Sequence, residues 1–140
     1  MYKVCVDGAE VEIKPEISTV NHSKKSDTVD SISQNLFTID GNLILLEEDL
    51  EAWAKKFKCS YDQSAFKKGM LEFDSIKVSN LSKNCFISGL KVVTTDTIVT
   101  LLLKVSSPAI NPSSSLPDVN PLYVFKVTIK NCKQSVLSTT

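Results

Sequence analysis

A short chain that states one pattern twice is committed to building its body from repeated units. The stretch "SQNLFTIDGNLILLEEDL", residues 33–50, returns as "SKNCFISGLKVVTTDT", residues 82–97. Aligned with one gap, Ser33 matches Ser82, Asn35 matches Asn84, Phe37 matches Phe86, Ile39 matches Ile87, Gly41 matches Gly89, and Ile44-Leu45 match Val92-Val93. Two fainter echoes are "VCVDGAEVEI" around Gly8 and "VTIKNCKQSVL" around Asn131. In the latter, asparagine, the next-best residue at positive φ, stands where the others have glycine. The chain has only four glycines, and Gly8, Gly41 and Gly89 take the same place in this alignment, so glycine is reserved for turns. Any β protein needs glycine at hairpins, but the shared Ser, Asn and Phe upstream favour a true repeat. Turn positions 8, 41, 89 and 131 are too unevenly spaced for a solenoid, whose stacked units need a fixed period. Hairpins arranged about a pseudo-symmetry axis tolerate such insertions.

The rest of the chain fits a mainly β body. Val4, Val6, Val11 and Ile13 alternate around Asp7-Gly8, which predicts a first hairpin over residues 1–13. Residues 14–32 are polar and aperiodic and predict a loop. A second hairpin turns at Asp40-Gly41. The period then changes, because Leu50, Trp53, Ala54 and Phe57 fall on one helical face. Glu47, Glu48 and Asp49 lead this segment and Lys55, Lys56 and Lys58 close it, complementing the helix dipole at both ends. Further hairpins are predicted around Gly69 and near Ser88-Gly89. The β-branched and leucine-rich run from Ile98 to Val105 predicts a central strand. A surface excursion with four prolines and five serines follows over 106–121, then a last alternating strand over 122–131. The expectation is mainly β: one small domain over 1–140, built of repeated β-hairpins in a cone-like body, with one short amphipathic helix near residues 48–58.

Composition narrows the function classes. Sixteen basic and sixteen acidic residues give zero formal charge, which argues against a nucleic-acid partner. The N-terminus lacks a signal-peptide layout and the most apolar run, "TIVTLLLKV", is too short to span a bilayer, so synthesis in the cytoplasm is expected. No P-loop and no G-x-S-x-G elbow are present, and His22 is the only histidine, so no enzyme is expected. Cys5, Cys59, Cys85 and Cys132 form no C-x-x-C pair. Cys5 and Cys85 read as small buried hydrophobes.

Segments such as "FTIDGNLILLEEDL" leading to "KKFKCSY", then "NLSKNCFISGLKVV" and "SPAINP", resemble the PAAR-like proteins that cap the spike of contractile injection machines. The resemblance covers roughly residues 4–137. The literal Pro-Ala-Ala-Arg tetrapeptide is absent; only "SPAI", residues 107–110, approaches it. The resemblance implies a structural tip on a trimeric spike protein of the valine-glycine-repeat type, as in type VI secretion or phage-tail-like machines. It also implies transient contact with a target membrane, a location at the tip of the apparatus, and secretion with it. No toxin domain is expected after residue 140, so any effector would bind non-covalently.

The family often holds zinc near the apex, where a narrow cone has little core to bury and a tetrahedral ion can replace it. On the resemblance, His22 and Cys59 are the best-placed ligands, with Cys132 a third; the bland alternative is a solvated histidine and buried thiols. A different functional class stays open from the residues alone. A small β-rich adaptor or inhibitor would bind a protein partner through a sheet edge or the Ser/Pro loop.

Overall fold

The computed structural model describes residues 2–17, 19–39, 41–82, 86–87, 89–133 and 138–139. In chain order the elements are β1 (Tyr2–Lys3), β2 (Ala9–Pro15), β3 (Val20–His22), β4 (Ser26–Val29), β5 (Thr38–Ile39), β6 (Asn42–Leu43), α1 (Glu47–Lys55), β7 (Lys58–Gln63), β8 (Phe66–Ser79), β9 (Phe86–Ile87), β10 (Leu90–Lys91), β11 (Ile98–Ser107), β12 (Leu122–Asn131) and β13 (Ser138–Thr139). The protein is mostly β with a single short helix among the described residues, as the sequence predicts.

Seven strands form one antiparallel sheet in the order β3-β7-β8-β11-β12-β2-β4. β11 occupies the middle, because its alternation places Val99, Leu101 and Leu103 on a single buried face. That face meets Tyr123, Phe125 and Val127 of β12 in direct register and continues through Val11 and Ile13 of β2. The outermost strands β3 and β4 are consecutive in sequence, with only residues 23–25 between them. Two opposite edges joined so briefly force the sheet to curl into a half-barrel. The Ile13 amide donates to the Lys25 carbonyl at 2.8 Å, tying that connection back to β2.

Several local expectations change. The two strands flanking Asp7-Gly8 do not pair with each other: the Ala9 amide closes the turn on the Val6 carbonyl at 3.0 Å, but β1 pairs with β13 and β2 pairs with β12 and β4. Segment 14–32 contains both edge strands, because partners on distant parts of the chain supply order that its own polar sequence does not announce. The β7–β8 turn falls at Ser64 and Ala65, and Gly69 sits inside β8 opposite Tyr61. A Cβ there would lie 2.1 Å from Tyr61 Cε1 and 2.7 Å from the Ala109 amide nitrogen, so Gly69 is kept by close approach, not by a turn. The helix forms over Glu47–Lys55 and buries Leu50 and Ala54, with Phe57 buried just beyond its end and Lys55 and Lys56 exposed.

Candidate docking face

Three two-residue strand pairs stand at the end of the molecule from which β2, α1 and β11 depart: β5–β6, β9–β10 and β13–β1. Each leads into a tripeptide: Ile44-Leu45-Leu46, Val92-Val93-Thr94 and Val4-Cys5-Val6. The three tripeptides close a ring. The Cys5 amide donates to the Val93 carbonyl at 2.9 Å, the Val93 amide to the Leu45 carbonyl at 3.0 Å, and the Leu45 amide to the Cys5 carbonyl at 3.0 Å. Bridges Val4–Thr94, Val6–Ile44 and Leu46–Val92 relate the first residue of each segment to the third of another in the same cyclic sense.

Pseudo-threefold equivalence extends outward from the ring. Each segment ends in a matching turn, with Ala9 donating to Val6, Asp49 to Leu46 and Thr97 to Thr94 at 2.9–3.1 Å. At two of the three places the residue following a segment donates its amide to the carbonyl of the residue preceding a neighbouring one, Asp7 to Leu43 and Thr95 to Lys3; at the third the contact is reversed and made by a side chain, the Lys91 amide donating to Glu47 Oε1. Alternation then separates two cores. First and third positions, with Ile39 and Ile87, form a small cluster of Val4, Val6, Ile44, Leu46 and Val92. Middle residues Cys5, Leu45 and Val93 belong to the main core of the sheet.

This geometry corrects the alignment read from sequence. Gly41 and Gly89 are equivalent, at φ 81° and 80°, and Ile39 matches Ile87. Gly8, at φ 82°, follows its tripeptide instead of preceding it and belongs to a different turn. By register Phe86 matches Thr38, not Phe37. The two fainter echoes combine, because the third unit draws one strand from each extremity of the chain. Asp40, Asn84, Cys85 and Ser88 lie outside the described residues.

Around this end Leu36, Phe37 and Phe86 are exposed, at 81%, 51% and 52%. Gln34 fixes the loop that carries the first two: its Oε1 accepts from the Leu36 and Phe37 amides, and its Nε2 donates to the Phe37 and Ile44 carbonyls. Asp49, almost fully buried, accepts the Leu46 amide through Oδ2 and the Ile32 and Ser33 amides through Oδ1, all within 2.9 Å. It therefore anchors the approach to the first repeated unit, beyond the dipole role its position in an acidic run suggests.

The metal candidates are not gathered. His22 and Cys59 lie on paired neighbouring strands, β3 and β7, both buried. The His22 Nε2–H donates to the Ile13 carbonyl at 3.0 Å, its ring meets Phe125 edge-on at 4.9 Å, and Nδ1 has no hydrogen-bond partner among the described residues. Burial, helped by Lys25, lowers the histidine below its ordinary range. Burial pushes the Cys59 thiol up to about 11. Cys132 lies elsewhere, past β12, where its carbonyl accepts the Val6 amide beside Cys5. Among the described residues no three His, Cys, Asp or Glu side chains converge, so a zinc ion, which needs three or four protein ligands, does not fit this set.

A buried polar network at the opposite end has no signal in the sequence. Asp118 accepts from Tyr61 at 2.8 Å and from Tyr123, while the Tyr61 hydroxyl accepts the Ala109 amide at 3.2 Å. Burial raises both phenols, Tyr123 to about 12. The network fastens the 106–121 excursion to the sheet, although Asp118 in "LPDVNP" reads as an ordinary loop residue.

The family model described as "Contractile injection system spike tip protein" matches residues 1–139 of the chain. No curated protein matches it.

Proposed function

The chain belongs to the family of contractile injection system spike tip proteins, and from that premise we propose that it caps a trimeric spike of the valine-glycine-repeat type by seating the end that carries its three short strand pairs on the spike's threefold terminus. The cyclic hydrogen-bond ring of Cys5, Leu45 and Val93 carries this reading. A single chain can match three identical partner strands only if it offers three equivalent positions, and this ring with its three strand pairs supplies them.

Membership in this family places the protein at the tip of the apparatus and suggests a structural, non-enzymatic role. Exposed Leu36, Phe37 and Phe86 provide apolar anchors beside the ring, and zero formal charge leaves contact to shape and burial. The opposite end then leads. It carries the β7–β8 turn and the excursion whose Ile110, Leu116 and Val119 are exposed, and it would meet the target membrane briefly or hold an effector non-covalently. No step of this role runs through a metal.

Binding to a trimeric spike protein tests the reading. Affinity should vary little with salt, and Phe37→Asp with Phe86→Asp should weaken it by tenfold or more, on the order of an interface anchor lost from each of two units. Steep salt dependence with tight binding by the doubly substituted protein would exclude this face.

A further inference from the structure

The third strand pair, β13–β1, differs from its two counterparts because no turn joins its strands; each comes from an opposite extremity of the chain. Its neighbours are Cys5, in the ring, and Cys132, just past β12. The Val6 amide donates to the Cys132 carbonyl at 3.2 Å, and Cys5 and Cys132 both lie in the main core. That bond joins Cys132 to the residue next to Cys5, and Cys132 is near enough to act on the Cys5 thiol electrostatically, so the two side chains share one small region of the core, where a disulfide needs Cα atoms roughly 4.4–6.8 Å apart. We propose that Cys5 and Cys132 are an oxidisable pair whose disulfide staples the third unit shut in place of the missing turn.

Cys5 is fully buried, and burial, reinforced by Cys132, holds its thiol far above the ordinary range, so it is inert while the fold is closed. Reaction proceeds when the two-residue β13–β1 pairing opens locally. The oxidant is a small-molecule disulfide such as oxidised glutathione. The Cys132 thiolate attacks one of its sulfurs, forming a mixed disulfide and releasing one glutathione thiolate. The Cys5 thiolate then attacks the Cys132 sulfur and releases the second. Two protein thiols lose two electrons and two protons, and the oxidant becomes two glutathione thiols. This chemistry is independent of spike docking; only its timing, on leaving a reducing compartment, rests on the injection-tip reading.

The test equilibrates the purified full chain with oxidised glutathione or with dithiothreitol, alkylates, digests and maps thiols by mass. A peptide pair linked through Cys5 and Cys132 is expected, with Tm raised on the order of 10 °C over the reduced protein, since the closed loop spans nearly the whole chain. Cys132→Ala, at a site less tightly enclosed than Cys5, should fold and lose both the link and the Tm rise; Cys5→Ala should do the same. Recovery of Cys5 and Cys132 as alkylated thiols from the oxidised sample would overturn the proposal. So would a bond from either to Cys59 or Cys85, or a linked protein whose Tm is unchanged or lower.

Discussion

At the scale of single residues, glycines do two different jobs here and mutation should separate them. Gly41 and Gly89 sit at positive φ with nothing among the described residues within 4 Å of an added Cβ, so Gly41→Ala should cost only the conformational penalty of about 1 kcal/mol. Gly69 is pressed against Tyr61 and Ala109, both held by the Asp118 network, so Gly69→Ala should cost about 3 kcal/mol or more, read by urea denaturation. Turn glycines were legible from their flanking residues; Gly69 was not, because the ring that covers it comes from another strand. His22 sets a pH dependence. Its folded pKa lies below the ordinary value of about 6.5, so above that pH both states are neutral, and as pH falls the unfolded chain takes up a proton first. Stability should therefore fall on acidification from about pH 7 towards pH 5, and His22→Gln should flatten that part of the Tm profile. An unchanged slope in the variant would assign the effect to carboxylates.

Among the elements, the helix was the most legible because its 3.6-residue apolar period and charge ordering both lie in contiguous sequence. Phe57 is buried as the period requires, while Trp53 is only half-buried, packed edge-on to Phe57 at 5.5 Å with its indole N–H donating to Asp27 at 2.9 Å. Trp53→Ala should thus cost about 2 kcal/mol, less than a fully buried ring, and Trp53→Phe about 1 kcal/mol for the lost hydrogen bond. Asp49→Ala should cost at least as much, about 3 kcal/mol, since it strands three backbone amides near the core; chemical denaturation ranks the three variants. β3 and β4 were invisible in sequence for the opposite reason. Each is short and polar on one side, and its pairing partner is remote.

On the scale of the whole molecule, the repeat announced two of three units, and the third was hidden by the way it is divided between β13 and β1. Glycine could not reveal it, since a strand pair without a turn needs none, and Gly8 misleads by occupying a neighbouring turn. Local alternation marked the strands and Ile98–Val105 as central, but the closing of the sheet follows from edges β3 and β4 lying three residues apart, a relation no local pattern encodes. Pseudo-threefold symmetry within one chain is the property that the proposed docking depends on, and counting copies tests it most directly. Native mass spectrometry of the protein mixed in excess with a trimeric spike should show one copy bound per three spike chains, and no further copies as the excess grows. Three copies per trimer, or a one-to-one complex with a monomeric partner and none with the spike, would contradict the account.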